Sequence, residues 1–259
     1  MLYTLPFILL VAFAIYAFTR NKKKTLALAT NDWHLILIAH VAFYKRLDVK
    51  NQAHFRKRLQ AFLDEVYVEG VDIGLTELDY VLVAASAVIP VFGFKEWQYN
   101  NLSGVLIFPD SFNEDLKFHD TAADKRILGM VGTGQFEGQM ILSRKALHSG
   151  FSNKTDKLNT GIHEFMHLVD KTDGLTDGLP ERLIPHEYSL PWLHLMHKEM
   201  EAINNKKSDL RSYGGTNQQE FFAVAAEYFF ERPKLLKRNQ PALYKMLEDC
   251  FQTKSYSSW

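Results

Sequence analysis

Apolar residues recur at helical spacing through most of this chain and at strand spacing in only a few short places, so the pattern predicts a mostly helical protein with a small sheet. The strongly apolar run 33–44 reads as helix. Over 51–68, Phe55, Leu59, Phe62, Leu63 and Val66 return every three or four residues, the stripe of a helix with one face inward. The run 78–89 has no polar face and fits a buried strand as well as a helix; its alanines favour the helix. Residues 104–108 and 139–143 are short apolar stretches, closed by Pro109 and by Arg144 and Lys145, and read as strands. A looser part with Gly174, Gly178, Pro180, Pro185 and Pro191 leads from a helix over 161–170 to one over 193–204. A helix in the run QQEFFAVAAEYFFERP, 218–233, stopped near Pro233, and another over 241–251 complete an α+β order, with the sheet ahead of the helix 161–170.

That helix carries chemistry. In GIHEFMHLVD, residues 161–170, His163 and His167 stand four apart with Glu164 between them. Side chains at this spacing share a helix face, about 5–6 Å apart at their β-carbons. Two imidazoles can therefore converge on one ion through bonds of roughly 2.0–2.1 Å. Glu164 lies on the same rim, which completes the HExxH pattern of zinc hydrolases, with the Glu as general base toward water. The pattern is short and also arises on solvated helices that bind nothing. Here Ile162, Phe165, Met166, Leu168 and Val169 are apolar and place the helix largely inside. Buried imidazoles and carboxylates are costly without a partner or a metal, so the flanks favour a metal site holding one zinc ion per chain.

A catalytic zinc takes three protein ligands and leaves a position for water. Asp173 stands where the long metzincin pattern puts its third ligand, but that pattern needs glycine at 170 for a sharp turn, and the chain has Asp170. Glu220 and Glu227 lie seven apart in QQEFFAVAAEYFFERP, on one face of an otherwise apolar helix. Two acids there need partners, either basic neighbours or a metal.

Five ordered stretches resemble the Mlc titration factor A family of zinc metallopeptidases, relatives of the anthrax lethal factor catalytic domain. They are VLVAASAVIPVFGF over 81–94, LIFPDSF ending at Phe112, QMILSRKAL from Gln139, HEFMHLVD over 163–170 and EFFAVAAEYFFERP over 220–233. The resemblance implies a zincin-like metallopeptidase domain over 25–259, with zinc held by His163, His167 and Glu220 and with Glu164 as general base. It also implies that Tyr213, seven residues before Glu220, acts in catalysis by donating a hydrogen bond to the oxyanion. Without the resemblance, Tyr213 in the loop SYGG reads as a surface tyrosine. Glu227 and Asp170 are expected around the ligands, where a carboxylate accepts the other N–H of a ligating imidazole.

The family is known for capturing a transcriptional regulator, so a non-catalytic zinc-stabilised binding module stands beside hydrolysis of a peptide or protein substrate. Glu164 argues for catalysis, because a structural zinc needs no base. The run GQFEGQMILS, 134–143, sits where HExxH peptidases place an edge strand that pairs with extended substrate. It reads equally as one strand of a hairpin, its turn rich in glycine at 132, 134 and 138. His186, His194 and His197 read as partly exposed helical histidines rather than a second metal site.

The amino end suggests a location. Residues 2–19 carry no charge, and Arg20, Lys22, Lys23 and Lys24 follow at once. At ~1.5 Å per residue this run just spans a bilayer. The basic flank on its far side predicts a single-pass anchor over 1–24 in the plasma membrane, with the catalytic domain in the cytoplasm. A cleaved signal peptide, which would make the protein secreted or periplasmic, would want positive charge ahead of the apolar run and a small-residue cleavage site after it. Cys250 stands alone, as suits a reducing compartment, and leaves no cysteine-based zinc site. The 30 basic and 30 acidic side chains balance, which argues against direct nucleic-acid binding.

Overall fold

The computed structural model describes residues 32–113, 127–153, 155–184, 186–253 and 256 of the 259. The apolar run 33–44 forms two helices rather than one, α1 (Asp32–His40) and α2 (Ala42–Lys45). They part at Val41, whose backbone is extended at φ −105° and ψ 98°. α3 (Val49–Glu65) is started by Asp48, whose carboxylate accepts the Asn51 N–H, and it buries Phe55, Leu59 and Phe62. It ends earlier than its periodicity predicts, because Val66 is extended and the chain enters β1 (Tyr67–Gly70). The ambiguous run is helix: α4 (Glu77–Val88) opens on a capping box between Thr76 and Asp79, and every residue from Val81 to Val88 is buried.

The sheet is small and mixed. β2 (Gly104–Phe108), β3 (Gly129–Val131) and β4 (Gln139–Ser143) join β1 in the order β1-β2-β4-β3. β1 runs parallel to β2 and β2 parallel to β4, while β3 returns antiparallel to β4 with Gly129 opposite Leu142. The hairpin alternative for 134–143 is therefore the right one, and the edge-strand expectation is corrected. β4 is paired on both sides, and its Met140, Ile141 and Leu142 are fully buried, as an apolar run inside a sheet should be. The edge beside the helix over 161–170 is β3, whose three residues are too few to show a period.

Ser143 ends β4 and caps α5 (Arg144–Ser152) by accepting the Ala146 N–H. α6 (Thr160–Asp170) then crosses α4 so closely that a β-carbon on Gly161 would stand 2.1 Å from Ser86 Oγ. The loop beyond it is pinned by Trp192, whose Nε1 donates to Gly178 O at 2.7 Å. Trp192 lies on α7 (Ser189–Asn204), which begins earlier than predicted because its first turn admits Pro191. α8 (Gln218–Glu231) is apolar nearly all round and buried from Glu220 to Phe230, the mark of a core helix. α9 (Pro233–Asn239) and α10 (Pro241–Cys250) follow, and Phe251 packs on Phe229 and Phe230 of α8.

The membrane location is corrected. Among the described residues no helix is long and apolar enough to cross a membrane. The stretch 2–19 that carried the expectation, with its basic flank, lies outside them. Placement in the plasma membrane is withdrawn.

Candidate metal centre

α6 and α8 face each other across the core, and each presents its polar residues at the same level. Asn159 caps α6, its side chain accepting the Ile162 N–H at 3.1 Å, and this fixes the helix phase that turns His163 and His167 toward α8. Asn217 caps α8 in the same way, accepting the Glu220 N–H at 2.9 Å, so Glu220 sits in the first turn of α8 pointing back at the imidazoles.

Three ligand atoms meet there. His163 Nε2 is 3.0 Å from Glu220 Oε2, His167 Nε2 is 3.2 Å from His163 Nε2, and His167 Nε2 is 3.6 Å from Glu220 Oε2. Bonds of roughly 2.0–2.1 Å at tetrahedral angles separate ligand atoms by about 3.3 Å, so this triangle has the size of three corners around zinc. The donor set, two imidazole nitrogens and one carboxylate oxygen, fits the same ion. The electrostatics agree. Burial opposes a charge on His163, but Glu227 and Glu220 outweigh it and push its pKa up to about 10. Burial likewise opposes charge on Glu220, yet the two imidazoles hold its carboxyl below the usual carboxylate range. The cluster draws positive charge to its middle, from a proton or from a divalent cation.

Glu227 lies behind His163. It is 1 % exposed, and its Oε1 is 2.7 Å from His163 Nδ1. A carboxylate only accepts, so Nδ1 carries the hydrogen, and when the Nε2 proton is displaced its lone pair is aimed at the centre of the triangle. Glu227 Oε2 accepts the Asn159 N–H at 2.7 Å, and Arg211 Nη2 donates to Oε1.

Glu164 is buried on the outer side of the imidazoles, where burial pushes its carboxyl up against the pull of His163 and His167. It rests on β3: a β-carbon on Gly129 would lie 2.7 Å from Glu164 Cγ, so only glycine leaves that room. Tyr213 is 44 % exposed and rides on the 3₁₀ turn Ser212–Gly215, its ring centroid 5.9 Å from that of His163. Burial and the neighbouring Glu220 push its phenol up to about 12, so it remains a hydrogen-bond donor at neutral pH. These groups line an open cleft of about 650 Å³ whose opposite wall is β3.

Asp170 is placed otherwise. Its Oδ2 accepts the Gly178 N–H at 2.9 Å and, among the described residues, no hydrogen bond joins it to an imidazole, so it closes the loop after α6 instead of orienting a ligand. Burial raises its carboxyl to about 7. Asp173 accepts the Leu175 N–H, away from the cluster. His186, His194 and His197 are exposed, and His197 pairs with Gln218.

Sequence reasoning missed three residues that shape the site: Arg211, Asn159 and Gly129. An Asn ahead of an apolar helical run is a legible capping signal; Arg211 and Gly129 act through contacts distant in sequence and have no local signature.

Residues 17–252 match the glucose-regulated metallo-peptidase M90 family. The chain is 28% identical over 227 residues to an uncharacterized protein of Synechocystis sp., covering 83% of this chain and 81% of that protein. It is 27% identical over 228 residues to Mlc titration factor A of Salmonella arizonae, covering 83% and 88%. With Mlc titration factor A of Cronobacter sakazakii it shares 28% identity over 235 residues, 85% of each chain.

Proposed function

This chain belongs to the glucose-regulated metallo-peptidase M90 family, and from that premise and the geometry of the cluster we propose that it is a zinc-dependent peptidase, residues 25–259 forming one zincin-like unit. The observation that carries the proposal is the triangle of His163, His167 and Glu220 ligand atoms, 3.0–3.6 Å on a side, with a buried carboxylate, Glu164, beside it. When bound by these three residues, zinc supplies a Lewis acid that polarises a carbonyl and eases deprotonation of water.

The chain's own residues do the rest. Glu164 takes the proton of the attacking water; its raised pKa makes it a stronger base than an ordinary carboxylate. It can then deliver that proton to the leaving amine. Tyr213, kept protonated by burial and by Glu220, donates to the oxygen on which negative charge develops, and such a donor acts mainly in the transition state. Glu227 fixes the His163 ring from behind. Along the far wall, β3 is paired on one side only among the described residues, so its other edge offers main-chain hydrogen bonds to an extended peptide.

A second proposal draws on the relatives whose name, Mlc titration factor A, ties them to the regulator Mlc. Here the cluster is a zinc-stabilised module that binds a transcriptional regulator without cleaving it. Two variants separate the two. Glu164→Gln should keep one zinc per chain and lose peptidase activity by roughly 10²–10⁴-fold, the usual contribution of a general base. Glu220→Ala should lose both zinc and activity. Metal analysis and cleavage of a peptide library read these outcomes: normal turnover by Glu164→Gln would overturn Glu164 as the general base, and wild-type protein that holds zinc but cleaves nothing would end the peptidase proposal in favour of the binding module.

A further inference from the structure

We propose that Arg211 is a positioning residue of the metal centre: it clamps Glu227, which fixes His163, and the same contact docks the turn that carries Tyr213. The proposal rests on the metal-site reading above and adds a residue that neither the motifs nor the spacing indicated.

Glu227 orients His163 only if its own carboxylate cannot rotate or drift. It sits on a core helix among aromatic residues, so it needs both fixed donors and a compensating cation. The Asn159 N–H at 2.7 Å holds one oxygen, and Arg211 Nη2 holds the oxygen that also receives His163 Nδ1–H. The cation thus comes from outside both α6 and α8. Among the described residues Arg211 Nε is buried without a partner, so hydrogen bonding of this guanidinium is directed at Glu227.

Arg211 is also the residue that starts the Tyr213 turn. Its carbonyl accepts the Gly214 N–H at 3.0 Å, so the residue whose guanidinium reaches Glu227 is also the backbone start of the turn. Anchoring Arg211 on Glu227 therefore sets two things: the direction of the His163 Nε2 lone pair, and the position of Tyr213 beside the His163 ring. A fold-stabilising ion pair alone would affect neither zinc affinity nor the rate of a correctly folded enzyme.

Chelator competition on the full chain gives the zinc Kd, and a peptide assay gives kcat and KM. Arg211→Ala, and Arg211→Met, which keeps the aliphatic stem if the alanine variant does not fold, should weaken zinc binding by about 10–100-fold and lower kcat. Arg211→Lys should recover part of both. Tyr213→Phe should lower kcat and leave zinc affinity unchanged. Arg211→Met combined with Glu227→Gln should bind zinc no worse than the weaker single variant, because both act through one path. Wild-type zinc affinity in folded Arg211→Met, or fully additive losses in the double variant, would overturn the clamp while leaving the metal site standing. Wild-type protein that takes up no zinc would overturn the metal site and the clamp together.

Discussion

Asp79 and Glu220 are both buried carboxylates in contact with histidine, and their surroundings differ in kind. Among the described residues every hydrogen-bond partner of the Asp79 carboxylate is a donor: Thr76 N–H at 2.7 Å, Thr76 Oγ at 2.8 Å, Arg144 Nε at 2.9 Å, Arg144 Nη2 at 2.8 Å and His148 Nε2 at 2.6 Å. Burial alone would raise its pKa, and these bonds outweigh it and hold the carboxyl below its ordinary value. That cluster is saturated with protein hydrogens, tying the start of α4 to α5. Around Glu220 three potential acceptors, two imidazole nitrogens and the carboxylate, point at one place, and Glu164 and Glu227 add negative charge behind them. A histidine beside an acid is thus uninformative by itself. Donors around one acceptor make a structural node, and acceptors around one point make a cation site.

The sharpest test of this contrast is the pair Asp79→Ala and Glu220→Ala. Asp79→Ala should destabilise the fold by about 3–5 kcal/mol, as expected for breaking a buried ion pair, and lower Tm by roughly 10 °C for a chain of this size. Zinc bound per folded molecule should not change. Glu220→Ala should lower the metal-free Tm by clearly less than Asp79→Ala does, because its loss also relieves the crowding of Glu220 with Glu164 and Glu227, and should abolish the rise in Tm that zinc produces. Calorimetry with and without zinc reads both, and a loss of metal-free stability at Glu220 as large as that at Asp79 would erase the distinction.

A smaller effect is expected where the sheet meets the site. Gly129→Ala puts a β-carbon 2.7 Å from Glu164 Cγ and must displace that side chain. Activity should fall about 10- to 100-fold, the range for misplacing a catalytic group by up to an ångström, with zinc content intact. Equal loss of zinc would locate the damage at the ligands instead.

The mildest test uses a carboxylate between the two extremes. Glu231 accepts a hydrogen bond from Asn159 Nδ2 at 3.0 Å, and burial raises its pKa from 4.5 to about 7 despite that bond and the nearby Arg46. An acid whose folded pKa exceeds its unfolded value contributes full stability below the unfolded pKa and loses it as pH rises through the folded one. Glu231→Gln should therefore raise Tm at pH 8 by roughly 2–4 °C and change it little at pH 4.5. An equal shift at both pH values would show that the charge on Glu231 is not what matters.

What the chain determined by itself is what depends on near neighbours. Helical spacing placed α3, α6 and α8, apolar runs placed β2 and β4, and the four-residue interval between His163 and His167 put two imidazoles on one face wherever the helix went. Glu220 and Glu227 were bound to share a side of α8 for the same reason. Local rules could not say which of the two carboxylates would meet Nε2 and which Nδ1, since that depends on how far α8 slides along α6. Nor could they place β3 at the sheet's edge, send Asp170 to Gly178 rather than to an imidazole, or bring Arg211 to Glu227. Those choices belong to packing between segments far apart in sequence, where a glycine at 161 or 129 matters because of what presses against it, and only the assembled core supplies that pressure.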